Sequence, residues 1–385
     1  MIEHFRVTSI FSSICFKWDE GKGEFEVKAP NKLLIYKIRM RTAWFYTASV
    51  LFQVALTWNQ ANISVKMHSI LFSSAIVMNC YCHHTFYSKR TEIVAYLNGM
   101  MMFEKQRNPK QWKPNDFHGI ITTVLIRLMA ITGVTLPFLY HLELIRLPCM
   151  PMHLGYFLAK DICRGEFGMS YPSTWSMEEI GAKLLILGVS YFNWSFLMSG
   201  FPAHLSVGLM LKGHCLRSYI LLCRKEMMGS TKVTTTNNKK SKTMIFRELQ
   251  AMSISYRLIY SCYFTVVMMI AIMSVHIISL YSCLKLTKNL PVAMILFYIM
   301  SAFDCAFIIL LVYGGLADVV KASISLHRDL KGKAEIQVDR WFRKFIRSCQ
   351  IIKVHFGETS FIDEMTPLVF EDFVIQQTVS LLLVK

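Results

Sequence analysis

At one end of an apolar run lie Cys80, Cys82, His83 and His84, and on a helix Cys80 and His84 stand one turn apart, a spacing able to ligate zinc. No second ligand pair of recognisable spacing occurs, so these residues read as lining of a helix bundle and no metal is expected. A second constellation is the amide pair Gln376-Gln377, followed by Thr378 and Ser380 within another apolar run. Polar side chains so placed face a bundle interior or a water-filled path rather than lipid. Two charges, Arg127 and Asp304, also fall inside apolar runs, at depths about 5 Å apart along the run direction. Charge is costly there unless partnered, so the two are candidates for a pair, the alternative being that Arg127 snorkels inward and Asp304 lines a wet cavity. The third set is aromatic with a few polar handles: His68, Phe72, Phe138, Tyr140, Tyr191, Trp194, His276, Tyr281, Phe297 and Tyr298. Walls of this kind suit a small, largely apolar ligand, although any one of these rings could equally be packing or an interfacial anchor. No nucleophile, base and oxyanion set shares a depth, and neither a phosphate loop nor HExxH occurs, so no enzyme and no cofactor is expected.

The elements that must position these groups are seven apolar stretches, roughly residues 42–60, 67–87, 120–141, 182–208, 262–283, 292–314 and 367–384. Most approach the ~20 residues needed to span a bilayer as a helix, and only helices satisfy their own backbone there without closing a barrel. A hydrophobic content of 54% and a mean hydropathy of +0.38 fit an all-α polytopic membrane protein and no soluble class. Of the 42 Lys and Arg residues, 33 lie in the N-terminal segment and in every second connection. Basic residues resist translocation, so that side is cytosolic, the N-terminus lies inside and the C-terminus outside. The net charge of +17 then faces anionic lipid headgroups, and nucleic acid is not an expected partner. In this orientation the ten aromatic and histidine residues above occupy the outer halves of the helices.

Ile10 to Phe16 is too short and too interrupted for a cleaved signal peptide, and residues 1–41 read as a basic cytosolic segment with an amphipathic turn at Leu33, Leu34 and Ile35. Residues 42–333 form the six-helix bundle. Within it, Gly229 to Lys242 has the composition of an unstructured linker. Cys149 and Cys163 share an external loop, where they form either a disulfide or two free thiols; Asn62-Ile63-Ser64 is a glycosylation sequon in the first external loop. From Ala334 to Phe356 apolar residues recur three and four apart among basic ones, predicting one amphipathic helix beneath the membrane. Thr366 then reads as an N-cap and Pro367 as the first residue of a final helix over 366–385, about 27 Å long between Pro367 and Val384.

Seven crossings, an internal N-terminus, long inner connections and an amphipathic helix before the last crossing together resemble the insect-type chemoreceptors, the odorant and gustatory receptors of arthropods. The likeness is architectural over nearly the whole length. It is residue-specific at Phe342-Arg343-Lys344-Phe345-Ile346-Arg347-Ser348, Phe356-Gly357, Phe361, Pro367-Leu368 and Phe370-Glu371-Asp372-Phe373. What the resemblance implies is a ligand-gated cation channel of the plasma membrane of chemosensory neurons, opened by a small tastant or odorant. It would be homotetrameric or heteromeric with related receptors, with 334–356 as a cytosolic anchor helix. Gln376, Gln377, Thr378, Ser380, Leu381 and Val384 would line its pore. The gustatory branch closes on Thr-Tyr, five apolar residues and Gln-Phe. In one register Thr378, Val379 and Lys385 fall on that pattern, and in the other the motif is missing. A G-protein-coupled receptor and a secondary transporter are the rivals, the first requiring an external N-terminus and the second paired, interrupted helices.

Overall fold

The computed structural model describes residues 14–59, 61, 63–106, 212–228, 236–260, 262–287, 290, 292–336, 340–356 and 360–384, with isolated positions 124, 127, 131, 135, 138, 139, 188 and 196. Most of the third and fourth apolar stretches lies outside them. The chain enters through a hairpin of β1 (Phe16–Asp19) and β2 (Glu24–Val27), antiparallel with Phe16 opposite Val27 and Trp18 opposite Phe25. Asp19 makes the turn: its carboxylate accepts the N–H groups of Gly21 at 2.9 Å and Lys22 at 3.2 Å, and Gly23 sits at φ +64°, where a side chain would be strained. The hairpin is held from outside by Asn98, whose side-chain amide accepts the Phe25 N–H at 2.8 Å and donates to the Phe25 carbonyl at 2.9 Å. Sequence pattern alone missed it, because four-residue strands carry too little alternation.

Helix α1 (Pro30–Thr57) starts well before residue 42, with Pro30 at the position whose N–H has no helical partner to lose. Tyr36, Met40, Ala43, Thr47 and Val50 form its buried stripe against α2 (Ile63–Ser88), while Phe45, Phe52 and Leu56 are left 75%, 62% and 65% exposed on the far side. A helix apolar on both faces is the kind that lipid covers. Next come α3 (Arg90–Gln106), a wide π turn at Lys212–Leu216 that runs into α4 (Arg217–Met228), and α5 (Thr236–Ile259). The polar run expected to be unstructured is therefore helical from Thr236 onward. Helix α6 (Cys262–Tyr281), extended by a π turn to Leu286, is central and packs on α2, α7 and α10.

Helix α7 (Val292–Phe307), a π segment (Ile308–Tyr313) and α8 (Gly314–Ile336) form one unbroken rod about 67 Å long at 1.5 Å per residue. Its lower part is tied to α4 by Arg224, which grips one Asp329 carboxylate oxygen through Nε and Nη2, both at 2.7 Å, and by Arg217–Asp318 at 3.6 Å. Among the described residues, three helical spans are long and apolar enough to cross a membrane: Ile63–Ser88, Phe264–Leu286 and Met294–Gly332.

The single amphipathic helix expected over 334–356 does not form. Helix α8 runs on to Ile336, α9 covers Arg340–Ser348, and residues 349–354 are extended before β3 (His355–Phe356) pairs with β4 (Ser360–Phe361). The extended strap gives its backbone partners that a helix would have denied it. The Ile352 N–H donates to Ser323 Oγ at 2.8 Å, the Gln350 carbonyl accepts from Gln250 at 3.2 Å, and the Val354 carbonyl accepts from Ile362 at 2.9 Å. Cys349, Ile352 and Val354 are buried along it, so the apolar residues that suggested helical period are covered by another route. Helix α10 (Thr366–Leu383) follows. Its opening is capped not by Thr366 but by Asp363, whose Oδ1 accepts the N–H groups of Met365 at 3.1 Å and Thr366 at 2.9 Å and the Thr366 hydroxyl at 2.6 Å.

Candidate functional site

His68 and Phe72 lie four residues apart, hence on one face of α2, and both are fully buried. Phe297 and Tyr298 of α7 meet them. The Tyr298 hydroxyl and His68 Nδ1 are 2.6 Å apart, and the rings of Phe72 and Phe297 stack at 5.1 Å with 13° between planes. His68 also lies 4.5 Å from Phe72, ring centre to ring centre. Four of the ten predicted pocket residues thus form one aromatic cluster with a polar link inside it, although they come from positions about 230 residues apart in the chain. Tyr281 is buried on α6 under the Lys285 ammonium, 5.6 Å from its ring centre, and is not in contact with that cluster through any described ring pair. Phe138 is exposed, and Tyr140, Tyr191 and Trp194 lie outside the described residues.

His276 turns elsewhere. Its Nδ1 lies 3.9 Å from the Glu371 carboxylate of α10, too long for a hydrogen bond and within reach of an ion pair, with both side chains largely buried between α6 and α10. Beside them the ring of Tyr313, from the π segment of the long rod, meets Phe370 edge-on at 6.2 Å. Two elements, α6 and the π segment that continues α7, therefore converge on the first turns of α10.

Helix α10 hides only one narrow stripe in its own chain: Pro367, Val374 and Thr378 are buried, whereas Leu368, Val369, Phe373, Ile375, Val379 and Leu383 are 44–77% exposed. The predicted pore residues divide accordingly. Thr378 is buried, its hydroxyl bonded to the Val374 carbonyl at 2.8 Å, and Leu381, three residues on, is half-buried on the same face. Gln376, Gln377, Ser380 and Val384 are exposed. Gln376 and Ser380 share a face with Asp372, each four residues from the next, and the column is joined by hydrogen bonds: Gln376 Nε2 to the Asp372 carboxylate at 2.7 Å, Ser380 Oγ to the Gln376 carbonyl at 2.8 Å. Asp372 entered the sequence reading only within Phe370-Glu371-Asp372-Phe373 and not among the expected pore residues; the spacing 372, 376, 380 was the available signal. At the far end, Lys285 donates to the Val384 carbonyl at 2.8 Å and ties α6 to α10.

The other sequence candidates are scattered. Cys80 contacts Thr47 Oγ1 at 3.1 Å and Cys82 contacts Met268, while His84 is exposed, so the helix sends them in different directions. No cluster of three or more potential metal ligands occurs among the described residues. His83 instead joins elements, with Nδ1 2.9 Å from the Tyr36 hydroxyl and Nε2 2.8 Å from the Phe196 carbonyl. Arg127 is exposed and Asp304 half-buried, and the two form no ion pair among the described residues. Asn62, Cys149 and Cys163 lie outside them.

No protein-family model and no curated protein matches the chain. Solved structures do. The insect olfactory receptor OR5 from Machilis hrabei in complex with eugenol superposes with a TM-score of 0.70 at 12% identity, over 100% of this chain and 97% of that one. A second structure of the same receptor gives 0.67 at 11% identity with the same coverage. The chain therefore has the fold of an insect olfactory receptor along its whole length, and the resemblance read from its architecture holds at the level of fold.

Proposed function

We propose that the chain is a chemosensory receptor that works as a ligand-gated cation channel, opened by a small, largely apolar molecule. Four copies of α10 surround the pore in a homomeric or heteromeric tetramer of the plasma membrane. The observation that carries this reading is the polar column Asp372, Gln376 and Ser380 on a helix face that its own chain leaves uncovered. Carboxylate, amide and hydroxyl oxygens suit partly hydrated cations, and a polar column at membrane depth is stable only beside water or protein. The aromatic cluster of His68, Phe72, Phe297 and Tyr298 is the sensing end in this proposal, linked to α10 through the rod and the Tyr313–Phe370 contact.

The test is patch recording from cells expressing the chain, with a mixed odorant and tastant panel and with G-protein signalling blocked. The expected result is ligand-evoked cation current that survives the block, with relative permeabilities altered by Gln376→Ala and Ser380→Ala and unaltered by Thr378→Val. Currents that vanish with the block, or permeabilities indifferent to all three substitutions, would overturn the proposal.

A further inference from the structure

Between the second half of α5 and the extended strap that follows α9 lies a cavity of 280 Å³, lined by none of the residues of the aromatic cluster. Four basic residues line it, Arg247 and Arg257 from α5 and Lys353 and His355 from the strap and β3, and no carboxylate is among the lining residues. The rest of the polar wall is neutral, including Gln250, Ser253, Thr265 and Ser348. Cations gathered around one space repel each other unless an anion joins them. The groups that hold Arg247 and Lys353 leave their charge intact. Arg247 donates to the Ser348 hydroxyl at 3.0 Å and lies 5.5 Å from the centre of the Phe345 ring, and the Lys353 ammonium sits 4.2 Å over the ring of Phe361. A hydroxyl and two aromatic faces orient cations without neutralising them. The guanidinium forks and the ammonium are thus positioned around an empty polar volume, the arrangement that a phosphate monoester binds best.

We propose that this cavity is a binding site for a multiply phosphorylated anion. The volume takes a small polyanion rather than a helix or strand of a partner protein. Its walls come mainly from α5 and the strap leading to α10, with Thr265 of α6 and Ser348 of α9, and α5 is joined to the opposite wall by the Gln250 to Gln350 and Arg247 to Ser348 hydrogen bonds. An occupant contacting Arg257 on one side and Lys353 on the other fastens the strap to α5. The anion arrives either as the headgroup of a phosphoinositide in the adjacent leaflet or as a free polyphosphate. The lipid source rests on the cytosolic placement expected for residues 334–356 from the sequence.

The two sources separate in one binding experiment on the full chain, read without any current and so independent of the channel reading. Purified protein is titrated with radiolabelled inositol trisphosphate. In parallel, protein in phosphatidylcholine nanodiscs containing either phosphatidylinositol bisphosphate or charge-matched phosphatidylserine is analysed for retained lipid by native mass spectrometry. Saturable binding of the trisphosphate assigns a free anion, and selective retention of the bisphosphate lipid alone assigns the headgroup; either supports the site. The double variant Arg257→Gln/Lys353→Gln should weaken that binding about tenfold or more, and Lys353→Gln alone, which removes no hydrogen bond of the fold, by a smaller factor. The control Lys225→Gln/Lys331→Gln removes the same charge from exposed positions of α4 and α8 and should leave it unchanged. No binding of either probe by the unsubstituted chain, or equal loss in control and test variants, would overturn the proposal.

Discussion

A single hydroxyl sets the polarity of the aromatic cluster. Replacing Tyr298 by Phe keeps the ring and removes the group 2.6 Å from His68 Nδ1, deep among buried rings. A lost buried hydrogen bond is worth about 1–2 kcal/mol, so the half-effective ligand concentration should move about tenfold in dose–response recordings. Phe52→Ala, on the exposed face of α1, should leave it in place. Superimposable curves for Tyr298→Phe and the unsubstituted chain would remove the cluster from the ligand site. His83 makes the contrasting case. It bonds Tyr36 and the backbone at Phe196, and His83→Phe should lower thermal stability by about 1–3 kcal/mol while leaving ligand selectivity intact. At this scale the sequence was half legible. Spacing four apart put His68 and Phe72 on one face, yet nothing in it distinguished His276, which turns to Glu371, from the residues that face the cluster.

The element whose start matters most is α10, and Asp363 governs that start. Hydrogen bonds from Thr366, its hydroxyl first, hold the Asp363 carboxyl below its ordinary value. A carboxyl lowered on folding stabilises the structure above its unfolded value of 3.8, and the contribution is lost as pH falls through the folded value. Asp363→Ala should therefore speed amide exchange over residues 366–370 at neutral pH, by the equivalent of about 1 kcal/mol. That difference should close once both proteins are taken well below pH 3.8. Exchange unchanged at neutral pH would show that tertiary packing alone sets the helix start. Pro367 announced this helix, since proline at an opening turn is a local and unambiguous signal. The strap at 349–354 was illegible for the opposite reason. Its apolar residues fit a helical period, and only distant partners, Ser323 and Gln250, make the extended path better.

For the whole molecule, apolar length carried most of the helical architecture. A full-length superposition at 12% identity shows how little residue identity that architecture needs. Long apolar helices are set by membrane thickness, and any apolar residue serves. The hairpin at residues 16–27 escaped notice because its support, Asn98, lies far along the chain. Orientation remains an expectation that surface labelling checks. With tags at each end, intact cells should stain only the C-terminal one, and an N-terminal signal would restore the G-protein-coupled alternative.

The rod of α7 and α8 carries a further consequence through its π segment at Ile308–Tyr313. A π turn lodges one residue more than an α-helix of the same height, as though one had been inserted. Removing a single residue there would let the rod relax into plain α-helix. Removing none and rewinding the segment as plain α-helix would instead swing everything on one side of it about 100° relative to the other, since each residue turns an α-helix by that angle. With Phe297 and Tyr298 kept in their cluster, Asp318 and Asp329 would turn away from Arg217 and Arg224. The segment thus works as a fixed angular offset, and the two ends of the rod can be correct at once only while it is wound wide.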